Sequence, residues 1–248
     1  MITATFHEDA FRDKVALITG GTGGIGAAIG NALSELGASV TVTGTTVAEA
    51  EEAQSRPSFW VERAVALDVR DEAAIVACFA GRTRLDILIN CAGTIRRDEE
   101  HDPLVFADVV DVNLNGTFRM CAAARPLLAQ SKGCIVNTAS VLSFFGGARA
   151  PGYSASKGGV AQLTKSLALA YAPERIRVNA IAPGWVATPL TQALRDDPAR
   201  GAAIVARTPL GRWGEPDDIA GAAIFLCSPA AAFVTGAILA VDGGYMAG

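Results

Sequence analysis

Lys14-Val15-Ala16-Leu17-Ile18-Thr19 is a short apolar run that ends directly in Gly20-Gly21-Thr22-Gly23-Gly24-Ile25-Gly26. Ile25, Ile29, Leu33 and Leu36 then recur at helical spacing, and Gly37 supplies a stop. A strand buried on both faces, a glycine turn and a helix, in that order, leave few folds open. They open a parallel sheet crossed by helices. The turn is also a binding device: Gly20, Gly24 and Gly26 let a pyrophosphate approach the backbone, and the helix N-terminus meets it with N–H groups and positive dipole. The pattern predicts a dinucleotide site here, with Thr22 and Ile25 in the same turn.

The alternation continues along the chain. Residues 39–43, 64–67, 85–89, 134–138, 177–181 and 237–241 read as strands. Helical patterns cover 72–81, about 104–130 (after a start signal at Asp102-Pro103), 153–171 and 217–227. Residues 47–62 are polar, carry Pro57 and read as irregular. No linker, repeat or low-complexity stretch divides these elements. The expected architecture is α/β: one Rossmann-fold domain over residues 1–248, a doubly wound seven-stranded parallel sheet with helices on both faces.

Composition narrows the function. Half of the 248 residues are hydrophobic, enough for a large core, and a net charge of −4 gives no electrostatic footprint for nucleic acid. Residues 221–241 carry no Asp, Glu, Lys or Arg and have the length of a membrane span. Ser228-Pro229 and Thr235-Gly236 interrupt them, so the reading is a buried helix ending near Cys227, a turn and a buried strand, with no membrane partner. Cys78, Cys91, Cys121, Cys134 and Cys227 are scattered and odd in number, which suits reduced thiols in a cytoplasmic protein. His7 and His101 show no ligand spacing, so no metal is expected. Residues 1–12 carry acids and no apolar core segment, unlike a signal peptide.

Two further stretches bear on chemistry. Tyr153 and Lys157 are four apart and meet on one helix face. An ammonium close to a phenol lowers its pKa, and a Tyr so tuned exchanges a proton with a carbonyl or alcohol. At the end of the second strand an acid would bond the adenosine ribose and repel a 2′-phosphate, whereas a cation would welcome the phosphate. Gly44-Thr45-Thr46 stands there and supplies neither; Thr45 can hydrogen-bond either group. The missing cation favours NAD, and the missing acid leaves NADP admissible.

The Gly20/Gly24/Gly26 spacing after Thr19, the stretch Asn90-Cys91-Ala92-Gly93 and the Tyr153/Lys157 pair resemble the short-chain dehydrogenase/reductase family, from about residue 11 to the C-terminus. The resemblance implies an enzyme that interconverts a secondary alcohol and a ketone with NAD or NADP. It assigns catalysis to Asn113, Ser140, Tyr153 and Lys157. Tyr153 exchanges the proton, Lys157 lowers its pKa and holds the ribose, Ser140 bonds the reacting oxygen, and Asn113 kinks its helix and holds a water. Ser140 lies at the family's spacing, 13 residues before Tyr153, with Thr138 and Ser143 as neighbouring hydroxyls. Asn115 is the alternative to Asn113 if the register slips. The resemblance also gives the cofactor Asp68 and Val69 at the adenine, Asn90, Ala92 and Gly93 in the next loop, and Pro183, Gly184, Val186 and Thr188 beside the nicotinamide. Cys91 stands where the family usually has a second Asn, and Gly23 where NADP-dependent members often have a basic residue. Residues 190–214 would form a flap over the substrate.

Stretches around Thr94-Ile95-Arg96-Arg97, Leu142 to Tyr153, Leu194-Arg195-Asp196 and Gly211-Arg212-Trp213-Gly214 resemble members of the family that act on sugar acids, and the implied substrate is a sugar acid or polyol. A carboxylate substrate calls for a cation, and Arg96 and Arg149 are the candidates. The other readings are a 3-ketoacyl thioester reductase, suggested by Gly44-Thr45, and a cofactor-sensing regulatory protein, whose expected mark is loss of Tyr153 or Lys157. The resemblance implies a homotetramer.

Overall fold

Along the central strands successive side chains point to opposite faces, and apolar residues fill both. Ala16 and Ile18 pack into one layer and Leu17 into the other; Ile87 and Ile89 oppose Leu88, and Cys134 and Val136 oppose Ile135 in the same way. Leu17, Ile18, Leu88, Ile89 and Ile135 are fully buried, each worth roughly 1.5–3 kcal/mol of apolar burial. The structure is a computed structural model that describes residues 5–248. The reading of residues 1–12 as unlike a signal peptide lies partly outside the described residues.

Seven strands, β1 (Val15–Thr19), β2 (Ser39–Gly44), β3 (Arg63–Ala66), β4 (Ile87–Asn90), β5 (Cys134–Thr138), β6 (Arg177–Pro183) and β7 (Ile238–Val241), form one sheet in the order β3-β2-β1-β4-β5-β6-β7. All pairs are parallel, as the sequence pattern predicts. The order reverses between β1 and β4, so a crevice opens at their C-terminal ends. Register places Thr19 beside Thr43 and Asn90, and Asn90 beside Asn137, which fixes the floor of that crevice.

Helices α1 (Gly24–Glu35) and α9 (Pro216–Cys227) pack on one face through Ile29, Leu33, Ile219 and Ile224. Helices α3 (Glu72–Phe79), α5 (Gly116–Ser131) and α6 (Pro151–Tyr171) cover the other through Ile75, Met120, Leu128 and Leu167. Residues 221–241 are the end of α9, a turn and β7, and among the described residues no helix is long and apolar enough to cross a membrane.

Two local expectations are corrected. Within the stretch read as irregular lies a helix, α2 (Val47–Ser55), capped by the Thr46 side chain, which accepts the Glu49 N–H. Its buried face is only Ala50 and Ala53, too slight to show as a periodicity. The helix read over 104–130 is interrupted: α4 (Pro103–Val110) passes into a single π-helical turn over Asp111–Asn115 before α5 begins. The insert after β6 holds two short helices, α7 (Gln192–Arg195) and α8 (Pro198–Arg207).

Candidate active site

A cavity of about 750 Å³ runs across the C-terminal ends of the strands. At one end is the glycine turn. A Cβ on Gly26 would lie 2.3 Å from the carbonyl oxygen of Gly20, and one on Gly20, whose φ is +63°, would lie 2.7 Å from Cα of Ala92. Only glycine lets the turn close on α1 and on the loop after β4. Thr22, Gly24, Ile25 and Thr45 line this end, Asp68 and Val69 the wall beyond it, and Ala92 and Gly93 the middle. Pro183, Gly184, Val186 and Thr188 line the far side. A closed glycine turn, a helix N-terminus and a carboxylate further along fit a dinucleotide. The Asp68 carboxyl is held below its usual range by the Arg70 guanidinium that bonds it. Asn90 is the exception among the expected cofactor residues: it does not line the cavity. It is buried beneath it, and its amide donates to Asn137 Oδ1 at 2.9 Å, tying β4 to β5.

Ser140, Tyr153 and Lys157 line the same cavity. Tyr153 and Lys157 sit one turn apart on α6, with Nζ 5.6 Å from the phenol ring centre. Lys157 is buried and its ammonium donates to the Thr138 carbonyl at 2.6 Å. Burial lowers its pKa to about 8. Burial also raises the pKa of the Tyr153 phenol. A hydrogen bond with Ser140 and the charge of Arg97 pull it back, while Glu100 pushes it up. One N–H of the ammonium goes to Thr138, and desolvation is the largest influence on both groups. The neighbouring hydroxyls are engaged elsewhere. Thr138 Oγ1 donates to Cys91 Sγ at 3.3 Å, and Ser143 Oγ donates to the Lys157 carbonyl at 2.7 Å.

Asn113 lies in the π-turn, fully buried behind the cavity wall. Its Oδ1 accepts the Thr94 N–H at 2.8 Å, and its Nδ2 donates to the Thr94 carbonyl at 2.9 Å and to Ser156 Oγ at 3.0 Å. The side-chain amide is therefore committed to the loop after β4 and to α6. Asn115 is exposed and bonds Asp111.

The two expected substrate arginines line the cavity but are tied to carboxylates. Arg96 pairs with Asp108 at 3.2 Å, and Arg149 bonds Asp98 through Nε at 2.7 Å. Arg97, which the sequence reading passed over, is half-buried in the same wall. Among the described residues it has no carboxylate within ion-pair distance, and its one hydrogen bond goes to the Leu190 carbonyl at 3.3 Å. Burial lowers its pKa, and the phenol of Tyr153 is the first group that opposes this. Glu100, also passed over, is buried and accepts the backbone N–H groups of Arg96 and Tyr153. Nothing in the run Asp98-Glu99-Glu100 marks one acid as the buried one.

Comparison with known proteins agrees with this geometry. A family model described as enoyl-(acyl carrier protein) reductase matches residues 20–246. The 2-dehydro-3-deoxy-D-gluconate 5-dehydrogenase of Pseudoalteromonas atlantica is 44% identical over 247 residues, covering 94% of this chain and 96% of the relative. The cis-4-hydroxycyclohexanecarboxylate dehydrogenase of Sinomonas cyclohexanicum is 40% identical, with 96% and 99% covered. The crystal structure of a gluconate 5-dehydrogenase from Burkholderia cenocepacia J2315, in complex with NADP and tartrate, superposes with a TM-score of 0.88 at 34% identity, covering 98% of this chain and 100% of that one.

Proposed function

The chain belongs to the short-chain dehydrogenase/reductase family, and we propose that within it this NAD(P)-dependent oxidoreductase acts on the CH–OH group of a sugar acid. Arg97 carries the reading. A half-buried guanidinium without an acidic partner among the described residues, beside the proton-exchanging phenol, suits a carboxylate on the substrate. Relatives named for gluconate-type and cyclohexanecarboxylate substrates support it. We assign the substrate carboxylate to Arg97 in place of Arg96 and Arg149, whose charges are already met.

A bound nicotinamide would supply the hydride exchange at the carbinol carbon. The glycine turn and the Thr188 side would hold the dinucleotide. Tyr153 takes the hydroxyl proton during oxidation and returns it during reduction. Ser140 donates a hydrogen bond to the reacting oxygen, where charge develops. Lys157, anchored on Thr138, supports the positive side of the cavity. Asn113, whose two amide N–H groups go to Thr94 and Ser156, fixes the loop that carries Arg97. The α7–α8 insert closes over the substrate as a flap, and Leu190 at its start contacts Arg97.

Exchanging Arg97 for Ala tests the assignment. The KM for an aldonic or deoxy-keto sugar acid rises about 10- to 100-fold, the equivalent of one lost charged hydrogen bond. The KM for a neutral polyol moves by less than ~3-fold. Equal changes on both remove Arg97 from this role. A thioester reductase is the second reading, favoured by the family description and by Gly44-Thr45 at the end of β2. Its substrate leaves Arg97 unpaired at the reacting end. A homotetramer is the proposed assembly. Exposed Leu104, Phe106, Phe118 and Leu169 on α4, α5 and α6 support it, and a sedimentation run showing only monomer removes it.

A further inference from the structure

The acid that β2 lacks at its end is delivered by the following helix. A Cβ built on Gly44 would lie 3.0 Å from Oε2 of Glu49, 2.8 Å from Cγ2 of Thr22 and 3.0 Å from Oγ1 of Thr22. The direction a side chain would take from the last residue of β2 therefore ends at the Glu49 carboxylate, against the glycine turn. Glu49 occupies the third position of α2, and its Oε2 accepts the Thr45 N–H at 2.8 Å. One oxygen is thus pinned at the strand end. The other, Oε1, makes no hydrogen bond among the described residues, and Glu49 is one of the residues that line the cavity. Among the described residues Glu49 forms no ion pair with a lysine or arginine. Arg70, the cation further along the cavity wall, is bonded to both Asp68 and Asp108.

An acid at the end of the second strand accepts the 2′-hydroxyl of an adenosine ribose and repels a phosphate in its place. We propose that Glu49 performs this selection and makes the protein specific for NAD over NADP, in place of the missing β2 acid. The inference rests on the reading that a nicotinamide dinucleotide fills the cavity, and it concerns coenzyme binding alone, so it stands or falls apart from the substrate. It sets this chain against the relative whose structure is in complex with NADP.

The test is calorimetric titration of the whole protein with NAD and with NADP, without substrate, for the parent, Glu49→Gln and Thr46→Ala. The parent binds NAD at least ~10-fold more tightly than NADP. Glu49→Gln tightens NADP by about 10-fold and weakens NAD by a few-fold, because the repulsion goes and a neutral acceptor remains. Thr46→Ala removes the helix cap but keeps the carboxylate, so it leaves the ratio of the two affinities unchanged. A purely capping Glu49 would shift both affinities together in Glu49→Gln, and that result overturns the proposal. So does a parent that binds NADP as tightly as NAD. Failure of both coenzymes to bind would remove the dinucleotide reading and this proposal with it.

Discussion

The carboxylate of Glu100 joins Arg96 to Tyr153: Oε1 accepts the Arg96 N–H at 2.8 Å and Oε2 accepts the Tyr153 N–H at 2.7 Å. One buried acid thereby links the loop that presents Arg97 to the first turn of α6. Gly152 makes the room, since a Cβ there would lie 3.3 Å from Oε2. Glu100 does not line the cavity and is a positioning residue.

Glu100→Ala leaves two enclosed N–H groups unpaired, at roughly 1–3 kcal/mol each. Thermal denaturation is expected to show a Tm lower by at least ~5 °C. Glu100→Gln keeps one acceptor oxygen and loses less. A Tm within about a degree of the parent for the Ala variant would contradict this account.

Tyr153→Phe removes the proton carrier and little else, because the ring stays in place. Turnover is expected to fall by about 10²- to 10⁴-fold, the usual worth of a positioned acid–base group, while coenzyme affinity holds. Steady-state kinetics beside a coenzyme titration separates the two effects. Turnover within ~10-fold of the parent would dismiss Tyr153 as the proton carrier.

Lys157 gives the fold a pH dependence of known sign. Its folded pKa, about 8, lies below its ordinary value of 10.5. Between these values the unfolded chain holds more protons, so stability rises with pH. The Tyr153 phenol, raised by burial, works in the opposite sense only above its ordinary value of 10.0. Urea denaturation of the protein without coenzyme should therefore show the parent gaining on the order of 2 kcal/mol relative to Lys157→Met from pH 8 to pH 10; the thiols of Cys78, Cys91 and Cys121, raised by burial, act in the opposite sense in both proteins and cancel in that comparison. A variant with the parent's slope would show that Lys157 is not the titrating group.

The glycine turn makes a paired prediction. At Gly26 an added Cβ meets the backbone oxygen of Gly20, whereas at Gly23 it meets nothing within 4 Å. Gly26→Ala should lose coenzyme binding, and Gly23→Ala should keep it within a few-fold, both read by calorimetry. Equal affinities in the two variants would mean that the turn adapts freely.

What the sequence makes legible here is local. Apolar strand runs, the glycine turn and the four-residue spacing of Tyr153 and Lys157 depend on neighbours in the chain, and they yield the sheet, its parallel sense and one cavity wall. What escapes depends on tertiary direction. Arg96 and Arg97 are adjacent, yet their guanidinium groups find different surroundings, which only the loop's path through Asp108 and Leu190 decides. Helix α2 is hidden because its inward face is two alanines, and with it went Glu49, whose carboxylate folds back to the end of β2. Asn90 reads as part of a cofactor loop, but its register beside Asn137 turns it beneath the floor. The desolvation that raises the Tyr153 pKa escaped as well, since it is set by everything that packs around α6.

The central claim is oxidation of a sugar acid at this cavity, and nicotinamide absorbance during turnover tests it most directly. The panel is a set of aldonic and deoxy-keto sugar acids, neutral polyols and a 3-ketoacyl thioester, each with NAD and with NADP. The account predicts turnover with sugar acids, faster with NAD, and little with neutral polyols. Turnover confined to the thioester would contradict it and make the protein a ketoacyl reductase.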